Sequence, residues 1–324
     1  MIVTLTANPS MDRTVSLDGA LVRGSVHRAS GSTTDPGGKG VNVARVISSA
    51  GKGCTAVLPG NGSDPLLAAL GAIGVRYRAV PTLGAARINL TVSEPDGTTT
   101  KINEPGATVA SDTVDGLFAT ILDLAAHAEW VVLSGSVPPG ISAGWYGELV
   151  RAMANLECKV AVDTSDDPLT ALAAGFPDTA PDLIKPNAEE LAQLTGSDGD
   201  ELERAAAAGD PSPTASAAAI LVDRGAGAVL ATLGAAGAVL VTADGAWSAI
   251  PPRITPRSTV GAGDSSLAGY ILADLDGADG GGRLARAVAY GTAATALPGT
   301  QLPTPAHARE GDVTIRTLDQ PIRA

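Results

Sequence analysis

Apolar and polar positions follow two periods in turn along this chain. Short runs rich in Val, Ile and Leu, closed by Gly, Ser, Asp or Pro, are followed by longer Ala- and Leu-rich stretches with helical spacing. Between residues 128 and 196 the order reads "AEWVVLSGS", "WYGELVRAMANL", "KVAVDTS", "DPLTALAAG", "DLIKPN" and "AEELAQLTG". Such alternation predicts βαβ units, hence an α/β fold whose mainly parallel sheet is covered by helices on both faces. The start, "MIVTLTANPS", lacks the basic flank and apolar length of a secretion signal and predicts a first buried strand. Residues 225–243, "GAGAVLATLGAAGAVLVTA", carry no charge, yet glycines at 225, 227, 234 and 237 divide them into two short strands around "LGAAG" rather than a membrane span. Residues 203–219, rich in Ala and Pro, predict a surface helix and loop.

Two segments depart from the alternation. Residues 11–36 and 86–105 are β-rich, the second around the turn "PDG", and together predict a small separate sheet inserted into one domain spanning 1–324. A sheet built from such insertions would lie over the strand ends as a lid, which suits transfers that must exclude water.

Composition narrows the classes. With 324 residues, 44% hydrophobic and 17% charged, the chain has enough apolar residues for a large core and too few charges for a disordered one. A formal net charge of −12 without a basic run disfavours nucleic acid and anionic membranes as partners, and leaves small anions open. Cys54 and Cys158 each lie in apolar, strand-like runs and read as buried free thiols suited to a reducing cytoplasm. His27, His127 and His307 show no metal or triad spacing.

In parallel sheets ligands collect at the carboxyl ends of strands, here the loops "SGSVPPG", "DTS", "KPN" and "LGAAG". Candidate chemistry is densest in "STVGAGDSSLAGY", Ser258 to Tyr270. A helix opening after a Gly-rich turn offers unpaired amides and a positive dipole end, so Gly261, Ala262 and Gly263 can cradle an anion. A carboxylate there, Asp264, would repel a resting anion. It is either an N-cap or a general base that deprotonates a hydroxyl while the amides hold the group being transferred, the arrangement needed for phosphoryl transfer from a nucleotide to an alcohol. A second Gly-rich element, "PGGKGVNVARV", also opens a helix, with Val43, Ala44, Ile47 and Ala50 on one face. It lacks the spacing and the Ser or Thr of a Walker loop. Its Lys39 is placed to reach an anionic group, and Asn42 carries an amide suited to hydroxyls.

"GGKGVNVARV" followed by "STVGAGDSSLAGY" resembles the paired signatures of the ribokinase-like sugar kinases, the PfkB carbohydrate kinase family. The likeness covers nearly the whole chain, and "TLTANPSMD", "RINLTVSEPDG", "SGSVPPG", "KPNAEEL" and "PGT" extend it in order. The resemblance implies an α/β/α sandwich with a β-sheet lid that also forms a homodimer interface. It implies ATP as co-substrate, Mg²⁺ as cofactor and a sugar phosphate as acceptor. "GGKG" with Lys39, and "RIN" at Arg87, lean towards fructose 1-phosphate phosphorylated at C6, with tagatose 6-phosphate and fructose 6-phosphate as alternatives. A non-catalytic sugar-phosphate sensor on the same fold would have no need for Asp264, Asn187 and "GAG" together.

By the same resemblance Asp264 is the base and Gly261, Ala262 and Gly263 form the anion hole. Asp12, Gly38 and Asn42 match positions that hold sugar hydroxyls, and Lys39 and Arg87 match cations facing the substrate phosphate. Asn187 and Glu190 match an "NxxE" element that organises Mg²⁺ and the nucleotide phosphates, directly or through water. Lys185, Thr232, Gly234 and Gly237 match nucleotide-binding positions. Local alternatives stay open: Asp12 capping a turn after Asn8 and Pro9, Arg87 pairing with Asp96 or Glu94, Glu189 serving in place of Glu190, and Ser134 and Ser136 merely stabilising their own loop. The stretch after 274, "DLDGADGGGRLARAV", departs from the family pattern and is expected to reshape a loop between two helices near the nucleotide.

Overall fold

In the computed structural model, which describes residues 1–319, the chain begins with β1 (Ile2–Leu5), β2 (Ser10–Ser16), β3 (Gly31–Gly37), α1 (Lys39–Ser49), β4 (Cys54–Pro59), α2 (Pro65–Ala72) and β5 (Tyr77–Val80). It continues with β6 (Arg87–Ser93), β7 (Thr99–Asn103), α3 (Ser111–Ala125), β8 (Trp130–Ser134), α4 (Trp145–Met153), β9 (Lys159–Asp163) and α5 (Asp166–Ala174). Next come β10 (Leu183–Ile184), α6 (Ala188–Thr195), α7 (Gly199–Ala207), α8 (Ser212–Asp223), β11 (Ala228–Thr232), β12 (Ala238–Thr242) and β13 (Gly245–Ile250). The last elements are α9 (Ala262–Leu275), α10 (Gly280–Ala296) and β14 (Thr314–Leu318). Residues 320–324 of the expected single domain lie outside the described residues.

Ten strands make one sheet in the order β14-β13-β12-β11-β10-β9-β8-β1-β4-β5. It is parallel from β5 to β11 and antiparallel from there to β14. The central strands are apolar on both faces because both are covered. Val3, Leu5, Val131 and Leu133 point into a core shared with α3, α4, α5, α6 and α8. Ile2, Trp130 and Val132 point the other way, into a core shared with α1, α2, α9 and α10. The result is the three-layer α/β/α sandwich that the alternation predicts. The second sheet, β3-β2-β6-β7, is made from the two β-rich segments, with β2 and β6 parallel at its centre.

Two expectations are corrected. The stretch 203–219 is a surface helix end and loop only over 203–211; its remainder enters α8, which is buried along Thr214, Ala215, Ala217, Ala218 and Leu221. Its small side chains let it lie close to β11 and β12. The loop after 274 is not beside the strand ends where a nucleotide would sit. Asp274 accepts hydrogen bonds from Trp130 Nε1 (2.9 Å) and Lys159 Nζ (2.7 Å), which open β8 and β9, so this loop lies at their amino ends. It is separated from Asp264 by most of α9, a helix about 21 Å long at 1.5 Å per residue.

Among the described residues no helix is long and apolar enough to cross a membrane. Cys54 and Cys158 are free and buried, and burial pushes the Cys54 thiol up to about 12.

Candidate active site

The sheet brings three polar residues to the carboxyl ends of neighbouring strands. Ser134 ends β8, Asp163 ends β9 in register with it, and Lys185 follows β10. Over them the amino ends of α1 and α9 meet, because the side-chain amide of Asn42 donates to Asp264 Oδ2 at 2.8 Å across 222 residues of sequence.

The turn before α9 works because Gly261, its N-cap, adopts φ 73°, a left-handed conformation that glycine takes without strain. Asp264 is therefore inside the first turn and is not the N-cap, which removes the capping alternative. Its carboxylate is buried, 7% exposed. Burial and the neighbouring Asp163 charge raise its pKa to about 6, against the opposing pull of Lys39, the Asn42 hydrogen bond and Lys185.

Asp163 is the hub of this cluster. It is 1% exposed, accepts from Lys39 Nζ at 2.8 Å and pairs with Lys185 Nζ at 3.3 Å. Burial works to raise its pKa, but the two ammonium groups hold it below the ordinary carboxylate value. Lys39 is lifted above the usual lysine value because Asp163, Asp264 and Glu190 outweigh its burial. The Lys185 ammonium reaches the first turn of α9, where a Cβ added at Gly263 would stand 3.1 Å from Nζ. Helix-end amides, a helix dipole and a buried ammonium are thus brought together at the start of α9, a combination that favours an anion. Ala262 N makes only a long 3.4 Å contact with Thr259 O.

The small sheet faces this cluster with its polar side. Asp12 on β2 accepts from Ser10 Oγ (2.7 Å) and Asn89 Nδ2 (3.0 Å), so it is a cross-strand acceptor and caps no turn after Asn8 and Pro9. Arg87 does not pair with Asp96 or Glu94, which accept from the Thr98 and Leu21 amides. Its guanidinium instead donates to the Glu104 carbonyl at 3.0 Å and lies 3.5 Å from Ser136 Oγ. Arg87 Nε and Asn89 Oδ1 are buried with no hydrogen-bond partner among the described residues. Orphaned polar atoms of this kind are uncommon and mark a place where a polar ligand is wanted. Gly38, at φ 107°, opens α1 beneath them.

On the other flank, Asn187 forms a β-bridge with Thr232, and Thr232 N donates to Pro186 O at 3.0 Å, which joins "KPN" to the loop carrying Gly234 and Gly237. Asn187 and Glu190 form a reciprocal capping box on α6, Asn187 Oδ1 accepting from Glu190 N (2.8 Å) and Glu190 Oε2 from Asn187 N (2.9 Å). Glu190 is close enough to Lys39 to act on its charge, whereas Glu189 is exposed, so Glu190 is the carboxylate on the site side. Among the described residues no three His, Cys, Asp or Glu side chains converge to cage a metal ion. This sparse oxygen set fits a hard cation carried mainly by phosphate oxygens and water.

Asp163 and Asn89 carry no assigned role in the sequence analysis, although both lie in stretches singled out there, Asp163 opening the strand-end loop "DTS" and Asn89 closing "RIN".

The raised Asp264 value has a pH consequence. If this carboxylate is the base, kcat/KM rises as pH passes upward through about 6 and levels off above it, because only the ionised form takes a proton. A profile already flat at pH 5 would contradict it. The same shift means that the folded protein holds this proton more tightly than the unfolded chain does. The stabilising contribution of the group is thus full below 3.8 and is lost as pH rises to about 6.

Comparison with known proteins places these features in a family. The model of the pfkB family carbohydrate kinases matches residues 6–307. The 1-phosphofructokinase of Rhodobacter capsulatus is 35% identical over 98% of both chains. The ATP-dependent 6-phosphofructokinase isozyme 2 of Mycobacterium tuberculosis is 34% identical over 92% of this chain and 85% of its own. Among solved structures, phosphofructokinase-2 from Escherichia coli in complex with substrates and products aligns with a TM-score of 0.85 at 30% identity, covering 95% of this chain and 96% of that one. This chain belongs to the pfkB family of carbohydrate kinases.

Proposed function

We propose that the protein transfers the γ-phosphoryl group of ATP to the C6 hydroxyl of fructose 1-phosphate, giving fructose 1,6-bisphosphate and ADP. The observation that carries this reading is the buried carboxylate Asp264, set at the amino end of a helix beside Lys39 and Lys185. The polar face of the small sheet covers it. Asp264 takes the C6 hydroxyl proton as the oxygen attacks in line. The amides of Gly261, Ala262 and Gly263, with Lys185, stabilise the charge on the transferring group.

Arg87, with its unpartnered buried Nε, receives the sugar phosphate, and Asp12 and Gly38 meet the sugar hydroxyls. Asn42 and Lys39 also take work beyond that expected from sequence. Asn42 orients Asp264, and Lys39, tied to Asp163, faces the transferring group as well as the sugar phosphate. Thr232, Gly234 and Gly237 line the nucleotide side. Glu190 and Asn187 would hold Mg²⁺ through water, and the ion would supply charge neutralisation on the nucleotide phosphates. The small sheet acts as the lid that keeps water from the phosphoryl group.

The opposite face of the small sheet carries most of its apolar side chains: Met11, Val15, Ile88, Leu90, Val92 and Ile102 share it by register, beside Arg13, Ser32, Thr34 and Thr100, with Ile88 46% and Ile102 58% exposed. A second copy of this chain is the occupant that suits it, as a homodimer through the lid. Sedimentation velocity should then show a dimer for the parent and a monomer for Ile88→Glu/Ile102→Glu; a monomeric parent would contradict the interface. Free, buried thiols suit a reducing cytoplasm.

A second reading, phosphorylation of a 6-phosphate, is favoured by the similarity to the 6-phosphofructokinase isozyme. Comparing kcat/KM for fructose 1-phosphate, fructose 6-phosphate, tagatose 6-phosphate and unphosphorylated fructose decides between them. Fructose 1-phosphate is expected to lead by roughly 10²-fold or more, the discrimination available to a well-placed charged hydrogen-bond set. A lead for either 6-phosphate would reverse the orientation of the sugar while leaving the chemistry in place.

A further inference from the structure

We infer that Arg45 is a positioning residue that couples the seating of the small sheet to the aim of the Asp264 carboxylate, acting through the side chain of Asn42. The inference rests on the reading of Asp264 as the base. Arg45 lies on α1 one turn after Asn42, where residues i and i+3 share a face. Its Nη1 donates to the carbonyl of Pro36 at 3.1 Å and lies 3.4 Å from Asn42 Oδ1. Asn42 then donates through Nδ2 to Asp264 Oδ2 at 2.8 Å.

The chemistry of the amide makes this a directional chain. Asn42 has one accepting end and one donating end, and only the donating end can face a carboxylate without repulsion. A cation at the accepting end fixes which way round the amide sits. Pro36 belongs to β3, so the same guanidinium nitrogen that orients Asn42 is held by the small sheet. That strand is itself pinned one residue earlier, where Asp35 accepts from the buried Thr300 hydroxyl at 2.5 Å. Burial disfavours the charge on Arg45, and the Asp35 and Asp12 carboxylates of the small sheet offset this only in part. Arg45 Nη1 carries two N–H groups, so this one nitrogen can serve acceptors on two different elements.

When β3 shifts, the Pro36 carbonyl shifts with it, the guanidinium follows, and Asn42 loses the contact that sets its orientation. A base displaced by about 1 Å loses on the order of 10² in rate. The base is thus fully aimed only while the small sheet is seated, which ties proton abstraction to lid position.

A double-mutant cycle tests this with the full-length protein, Mg-ATP and fructose 1-phosphate. Arg45→Gln is expected to lower kcat by roughly 10- to 100-fold with KM for ATP changed by less than about 3-fold. In the Asn42→Ala background the same change is expected to cost less than about 2-fold more, because the link is already cut. Losses that multiply, or an Arg45→Gln kcat within about 2-fold of the parent, would overturn the coupling. If thermal unfolding shows that Arg45→Gln does not fold, the same cycle is run with Arg45→Lys, which keeps the charge but not the planar fork. Asp264→Asn separates the two ideas. If it turns over like the parent, the base reading and the relay both fall, whereas an inert Asp264→Asn with multiplying losses sinks the relay alone.

Discussion

Asp264→Asn is expected to lower kcat by roughly 10²- to 10⁴-fold while KM for the sugar phosphate and for ATP stays within a few fold. The amide keeps the size of the carboxylate and can still meet Asn42, but it cannot accept the hydroxyl proton. Stability should not fall, because the parent carries a carboxylate whose ionisation burial and the Asp163 charge both oppose. Steady-state kinetics at pH 7.5 with a thermal melt on the same sample separates the two effects. A variant with near-parent turnover would show that the buried carboxylate is not the base. One that lost turnover only by unfolding would show its role to be structural.

The second large effect belongs to Asp163, which the sequence marks only as the start of the strand-end loop "DTS". Asp163→Asn leaves Lys185, 5% exposed, and Lys39 facing each other with one carboxylate fewer between them. Removing one partner from a buried ion cluster costs about 3–5 kcal/mol, which for a chain of this size corresponds to a fall in Tm on the order of 10 °C. Because Asp163 ionises more readily folded than unfolded, its contribution is present above the ordinary carboxylate pKa and is lost as pH falls through its depressed value. Parent and variant stabilities should therefore converge in acid. In the kinetics, loss of the Asp163 charge should move the rising limb of the pH profile below 6, since that charge is one of the two causes holding Asp264 up. A variant that melts with the parent and keeps its pH profile would remove Asp163 from the account.

Much of this was legible in the sequence because it depends on local rules. Alternating periods gave the sandwich, the β-rich segments gave the small sheet, and "GAGD" marked the amino end of α9 and the buried carboxylate in its first turn. What stayed hidden depends on the fold bringing distant residues together. The partners of Lys39 and Asn42 were not legible, since nothing local says that Asp163 lies 124 residues downstream of the one and Asp264 222 residues downstream of the other, each within hydrogen-bond reach. Asn187 and Glu190 carry a pattern with two physical meanings, and the structure shows that they form a helix cap whatever else they hold. The second half of 203–219 looked like surface because Ala and Pro are weakly hydrophobic, whereas small side chains are what a helix needs to lie flat on a sheet. The Asp and Gly after 274 sit next to the site helix in sequence and at the far end of it in space.

The claim on which the rest depends is that this site moves a phosphoryl group onto the sugar. It is tested most directly by following ATP and fructose 1-phosphate together by phosphorus NMR while ADP is quantified. The account predicts one new phosphate monoester signal at C6, retention of the C1 signal, and one ADP formed per bisphosphate. ADP with inorganic phosphate and unchanged sugar, or sugar phosphate bound with no ADP released, would contradict it.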